Sequence, residues 1–260
     1  MNLLFVGDVV GEPGRRVLLN NLRQLKDKLA LDFIVVNAEN AAGGFGVTEK
    51  ICLELFEQEV DVITSGNHIW DKREALTYIV GEPRLLRPHN YPVGTPGSGW
   101  YVGETAAGDK VGVLNLMGQA FMHPSLECPF AAADAVLAER PADLKMILVD
   151  MHCETTSEKT AMGWHLDGRV SAVVGTHTHI PTADERILPQ GTGYITDVGM
   201  TGTYDSVIGM HKDKTVKRFL SKLPERLETA SGPATLSAVF IQLDADSGRC
   251  HGIKRVRIAE

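Results

Sequence analysis

The chain has 260 residues, with 26 lysines and arginines against 33 aspartates and glutamates, a formal charge of −7, and 43% hydrophobic residues. That length suits one large α/β domain, and the acidic balance excludes a general nucleic-acid surface or a binder of anionic membranes, both of which need a basic face. The four cysteines (Cys52, Cys128, Cys153, Cys250) form no Cys-x-x-Cys, the first residues have no basic segment, and no apolar run reaches membrane-spanning length, so a reduced, cytoplasmic protein without membrane attachment is expected.

Residues 3–6 read as a short buried strand that stops at Gly7-Asp8, and a loop over 9–14 leads into a helix with apolar positions Val17, Leu18, Leu22, Leu25 and Leu29. Residues 33–36 form the second strand, ending at Asn37-Ala38-Glu39-Asn40. A glycine-rich loop over 41–46 precedes a helix from Thr48 and Glu49 to about Gln58. Residues 60–64 give a third strand, closing on Ser65-Gly66-Asn67-His68. This β-α-β-α-β rhythm is that of a parallel sheet with covered faces.

A Pro- and Gly-rich connection follows over 85–108. Residues 99–104 and 110–116 predict a hairpin around Ala107-Gly108-Asp109, and 131–139 an alanine-rich helix. Strands are then expected over 146–149, ending at Asp150-Met151-His152, and over 170–174, ending at Gly175-Thr176-His177-Thr178-His179. Residues 194–196, then 234–243 and 252–258 about a turn at 244–248, are expected to close a second sheet. No internal repeat, low-complexity tract or domain boundary stands out.

The strands thus end, one after another, in groups able to bind metal. In open α/β sheets ligands bind beyond the carboxyl ends of the strands, so Asp8, Glu39, Asn40, Asn67, His68, His152, His177 and His179 are expected at one edge. His177 and His179, at i and i+2, share one side of an extended segment and are the pair most directly read as metal-binding. Carboxylate, amide and imidazole donors without thiolate suit Mn, Fe, Zn or a similar ion. Seven candidate ligands, all but His68, exceed one ion's needs and match about two. Two divalent ions against Asp8 and Glu39 leave a net positive centre that favours a phosphate anion. Each residue alone has a plainer reading: Asp8 as an N-cap or Asx-turn, Asn67 as a turn residue, His68 stacked on Trp70, Cys153 as a small buried residue. Asp71 either orients His68 or is a solvated acid. His89, His123, His165 and His211 read as surface or supporting groups, and the mixed charges over 212–218 as surface.

In order, Gly7-Asp8, Glu39-Asn40, Gly66-Asn67-His68, His152 and Gly175-Thr176-His177-Thr178-His179 resemble the motif blocks of calcineurin-like metallophosphoesterases. Asn37-Ala38-Glu39-Asn40-Ala41-Ala42-Gly43-Gly44, Ser65-Gly66-Asn67-His68-Ile69-Trp70-Asp71, Met200-Thr201-Gly202 and Asp205-Ser206-Val207-Ile208-Gly209 resemble the YmdB-type branch, over nearly the whole chain. The resemblance implies a single-domain, four-layer α/β/β/α sandwich spanning residues 1–260. It implies a dimetal phosphodiesterase that opens 2′,3′-cyclic nucleotides to 3′-nucleotides, using two divalent ions (Fe and/or Mn, with Mg or Zn as alternatives), and a homo-oligomer. By the same resemblance Asp8, Glu39 and His179 hold one ion, Glu39, Asn67, His152 and His177 the other, and a metal-bridging hydroxide attacks while His68 protonates the leaving oxygen. Two departures stand out. The usual Asp-x-His of the first block has Val10 in its third position, and the usual bridging Asp is Glu39. Asn40 is placed to supply the missing oxygen.

Other functions fit less well. Gly7, Gly11 and Gly14 are spaced GxxxGxxG, not the GxGxxG of a dinucleotide fold. Amidohydrolase-type enzymes place His-x-His at the first strand, whereas here it comes late. A metal-bound regulatory scaffold, or a phosphatase or phosphodiesterase acting on another phosphoester such as an RNA end, is compatible with the same residues.

Overall fold

Along the central strands both faces are apolar, so each face needs cover. In the computed structural model, which describes residues 1–260, β1 (Asn2–Val6) turns Leu4 and Val6 to one core and Leu3 and Phe5 to another. The next strand, β2 (Phe33–Asn37), repeats this with Ile34 and Val36 against Phe33 and Val35. This is the two-residue period of the strand. β3 (Val62–Thr64) runs parallel to β2, and β2 to β1. Helices α1 (Gly11–Leu29), α2 (Glu49–Glu57) and α3 (Ala75–Gly81) cover the outer face through Val17, Leu18, Leu22, Ile51, Leu55 and Ile79. The hydroxyl of Thr48 caps α2 by accepting from the Ile51 amide at 3.3 Å.

The second half repeats the scheme. The strands are β4 (Trp100–Glu104), β5 (Lys110–Met117), β6 (Met146–His152), β7 (Ala172–Thr176), β8 (Arg186–Ile187) and β9 (Gly193–Ile195). They form one sheet ordered β4-β5-β6-β7-β9-β8, with β5, β6, β7 and β9 mutually parallel. Helices α4 (Pro129–Glu139) and α5 (Thr156–Leu166) cover its outer face through Ala133, Leu137, Met162 and Leu166. Between the sheets lies a shared core of Leu3, Phe5, Phe33 and Val35 against Val111, Val113, Leu148 and Val174. The order of layers is therefore helix, sheet, sheet, helix.

Three expectations are corrected. The last two strands, β10 (Thr235–Leu243) and β11 (Cys250–Ala259), join the first sheet and not the second, giving β11-β10-β1-β2-β3. The cause is the otherwise unpaired edge of β1, which β10 satisfies antiparallel from Asn2↔Gln242 to Val6↔Ala238. Helix α1 begins at Gly11, earlier than the expected loop allows, because Pro13 in a first helical turn gives up only an amide that has no partner there. Strands β6 and β7 extend to His152 and Thr176. A further helix, α6 (Lys212–Ser221), occupies the mixed-charge run; it buries Thr215 and leaves Val216, Phe219 and Leu220 exposed. No helix is long and apolar enough to cross a membrane.

Candidate metal centre

The carboxyl ends of β1, β2, β3, β6 and β7 converge, and with them the polar residues that terminate those strands. Asp8 and His152 are fully buried, Glu39, Asn40 and His179 nearly so, and Asn67, His68 and His177 half-buried. At the centre the His152 Nε2 lies 3.1 Å from Glu39 Oε1, 3.0 Å from Asn67 Oδ1 and 3.0 Å from His177 Nδ1. The ligand atoms of Glu39, His152 and His177 all fall within 4.8 Å of one another. Such crowding of donors onto one small volume suits a cation.

Asp8 borders this cluster. Its two carboxylate oxygens accept from the His177 amide at 3.3 and 3.2 Å, and one stands 3.9 Å from His152 Nδ1. Its backbone carbonyl accepts from Thr201, which ties β1 to the segment after β9. His179 places Nδ1 on the Ile208 carbonyl at 2.8 Å, so Nε2 is its free ring nitrogen. Asn40 donates from Nδ2 to the Gly44 carbonyl at 2.9 Å, while its Oδ1 is buried without a partner. A buried amide oxygen left unpaired is costly, and a metal ion is one way to satisfy it. His68 enters through its amide, which donates to Glu39 Oε2 at 3.2 Å. Its Nδ1 lies 2.9 Å from Asp71 Oδ2, and its ring meets the edge of Phe45 at 5.0 Å. Asp71 thus orients His68, and Phe45, not Trp70, is the aromatic neighbour.

Burial and mutual charge shift the groups of this cluster in opposite directions. Burial raises the Asp8 carboxyl to about 6, against the opposing pull of His179 and His152. Burial would raise Glu39 too, but the His152 imidazolium beside it holds it well below the usual carboxylate range. Burial likewise would lower His152, yet the charge and hydrogen bond of Glu39 lift it above neutrality. Burial and the neighbouring His152 charge push His177 down to about 3. His152 and Glu39 thus stabilise each other's charged forms.

Four supporting groups have no counterpart among the expected site residues. Asp150, two residues before His152 on β6 and fully buried, accepts from Thr176 Oγ1 at 2.7 Å. Glu154 lies 3.0 Å from His177 Nε2. The buried pair Lys159–Asp197 closes at 2.6 Å, and Asp197 also accepts from the Thr178 amide and hydroxyl at 3.2 and 2.8 Å. Thr178 lies between two histidines with left-handed backbone, His177 at φ 96° and His179 at φ 67°. Such φ values are unfavourable for non-glycine residues, and Asp197 pins the residue between them. A signal for Asp150 was available, since residues i and i+2 of a strand share a face. None existed for Lys159–Asp197. Cys153 is buried, with Sγ on Glu158 Oε2 at 3.2 Å and its thiol pushed up to about 12 by burial, so it offers no thiolate. His165 sits at the surface with Asp134.

Known proteins match along nearly all of this architecture. A family model described as YmdB-like protein matches residues 4–256. The 2′,3′-cyclic-nucleotide 2′-phosphodiesterase of Bacillus subtilis (strain 168) is 49% identical over 259 residues, covering 99% of this chain and 97% of its own. The crystal structure of a novel phosphatase from Mycoplasma pneumoniae superposes with a TM-score of 0.94 at 37% identity, over 100% of this chain and 93% of the other. That of a hypothetical protein from Thermus thermophilus gives 0.93 at 42% identity, with both chains fully covered. The four-layer arrangement is therefore that of the calcineurin-like fold, and the chain belongs to the YmdB-like protein family, whose matched relatives include enzymes named phosphodiesterase and phosphatase.

Proposed function

We propose that this protein is a dimetal phosphodiesterase acting on 2′,3′-cyclic nucleotides. The observation that carries the reading is the convergence of Glu39, Asn67, His152 and His177 within hydrogen-bonding distances, with Asp8, His179 and the unpartnered Asn40 Oδ1 beside them. The name of the 49%-identical relative supports the substrate class. Asp8, Asn40, Glu39 and His179 would hold one ion, and Glu39, Asn67, His152 and His177 the other. Iron or manganese suits these oxygen and nitrogen donors, with magnesium or zinc as alternatives. When bound, the ions supply an acidified water and positive charge for the phosphate oxygens.

The chain's own residues do the rest. His68 gives a proton to the departing ribose oxygen, and Asp71 on its Nδ1 leaves Nε2 as the working nitrogen. Phe45 makes an edge contact with that ring at 5.0 Å between centroids. Buried Asp8 and Glu39 confine negative charge to the ligand positions.

Product-resolved hydrolysis of 2′,3′-cyclic AMP by metal-reconstituted protein tests the reading, with His68→Ala as control. The expected product is 3′-AMP, with the variant slowed on the order of 10²-fold while keeping both metals. Full activity in His68→Ala would remove His68 from the mechanism. No turnover by fully metallated wild-type protein would reject the substrate class.

A further inference from the structure

Resting on the reading of His152 as a metal ligand, we propose that Thr176, backed by Asp150, is a positioning residue that fixes the His152 ring with its proton on Nδ1 and its Nε2 at the metal. The three residues come from neighbouring strands, and none has any solvent exposure. Asp150 accepts from three donors, Asn37 Nδ2 at 3.0 Å, Thr64 Oγ1 at 2.6 Å and Thr176 Oγ1 at 2.7 Å, and these bonds oppose the burial that raises its carboxyl. The single hydroxyl proton of Thr176 is thereby committed to Asp150. The Asn37 amide also approaches the Thr176 oxygen, at 3.5 Å, as a second donor to it.

What Thr176 has left is a lone pair, and it faces His152 Nδ1 at 2.9 Å. That contact is a hydrogen bond only if Nδ1 carries the hydrogen. Asp8 Oδ1, at 3.9 Å, is too far to compete for it. The opposite nitrogen, Nε2, then points at Glu39 Oε1, Asn67 Oδ1 and His177 Nδ1, and it is the nitrogen that gives up its proton when an ion binds. A histidine ligand commonly has its other nitrogen held by an oxygen acceptor; here the hydroxyl acts as that acceptor because a carboxylate behind it sets its direction. Asp150 in turn is gripped by Asn37 of β2 and Thr64 of β3, so the orientation of His152 is wired to the opposite sheet.

The test uses zinc as a diamagnetic probe in the full chain. Competition titration against a chelator reads affinity, and nitrogen-15 spectra of the loaded protein read which ring nitrogen of His152 bears hydrogen. Wild type should show an Nδ1–H that exchanges slowly. Thr176→Val should weaken one of the two zinc equivalents by about 10–100-fold and expose the ring to exchange, while Thr176→Ser, which keeps the hydroxyl, should restore both readouts. A purely structural role would lower the melting temperature of Thr176→Val without moving the exchange signature. Thr176→Val with wild-type affinity and a protected Nδ1–H would overturn the proposal and leave the metal reading standing. Should Thr176→Val fail to fold, zinc on Nδ1 of His152 in wild type or in Thr176→Ser would overturn it equally. Wild type that takes up no zinc, iron or manganese would overturn the metal reading itself, and this proposal with it.

Discussion

Gly66→Ala should disable the centre without unfolding the protein. A Cβ at this position would stand far inside van der Waals contact with the His152 Cδ2 and Nε2 and with Glu39 Oε2. The backbone of Gly66 is not in the left-handed region, so the residue tolerates a side chain in itself and the entire cost falls on those two neighbours. Ordinary carbon contacts lie at about 3.5–4.0 Å, so relief requires on the order of 1 Å of movement by the imidazole or the carboxylate. His152 cannot withdraw cheaply, because it is fully buried and its Nδ1 is tied to Thr176. Overpacking of this sort costs about 1–3 kcal/mol, within the usual margin of about 5–15 kcal/mol of a folded domain, so the fold should survive. A misplacement of about 1 Å at reacting groups costs on the order of 10²-fold in rate, and the loss should be larger where the displaced group is a ligand. Metal content by elemental analysis, turnover of 2′,3′-cyclic AMP and thermal melting should be measured on the same samples. A cooperative melt with depleted metal and turnover slower by at least about 10²-fold is expected. A variant with undiminished metal and unaltered rate would show that the close approach of His152 and Glu39 to Gly66 is not needed by the proposed centre.

Lys159→Met leaves Asp197 buried without its counter-charge and should cost about 3–5 kcal/mol in chemical denaturation, whereas the double change with Asp197→Asn should recover part of it. Additive losses would mean that the pair is not coupled. Asp61 gives a pH signature away from the centre. Its carboxylate accepts from the Ile34 amide at 2.7 Å, yet burial raises it from 3.8 to about 6. Because the folded value lies above the unfolded one, this contribution to stability is fully present below about pH 4 and lost as pH rises through about 6. Asp61→Asn, which keeps an acceptor oxygen, should therefore gain on wild type between about pH 4 and 7, by about 1–2 kcal/mol after allowing for partial solvation. A melting difference constant across that range would exclude the linkage.

The proposed ligand positions were legible as one cluster because each closes an apolar run. A buried strand that stops in Asp, Glu-Asn, Asn-His or His-Thr-His must satisfy those groups, and the carboxyl ends of parallel strands meet at one edge. Asp71 was visible at three residues from His68 but ambiguous, and the 2.9 Å contact decides it. The remainder depended on pairings that no local pattern encodes. Glu154 reaches His177 only once β6 and β7 are side by side. Lys159 is an unpromising core residue by composition, and it masks the apolar face of α5 that Met162, Gly163 and Leu166 would otherwise reveal. The placement of β10 follows from which sheet has an open edge beside β1, a property of the assembled fold rather than of residues 235–243.

Asp150 also bears on why the proposed ligands from two sheets can be held in one geometry. Sheets packed only through Leu, Val and Phe tolerate small sliding, because dispersion has no directional preference. At the edge where the proposed ligands gather, the contact is not purely apolar. One carboxylate on β6 takes hydrogen bonds from β2, β3 and β7 at once, and charge-assisted bonds fix direction as well as distance. Glu39 and His68 follow β2 and β3, while His152 ends β6 and His177 follows β7. Any shift of one sheet against the other must therefore break bonds to Asp150 before it can separate Glu39 from His152. The side chain that aligns the sheets is thus the one that directs Thr176 toward the His152 ring, so the register of the fold and the geometry of the centre depend on the same group.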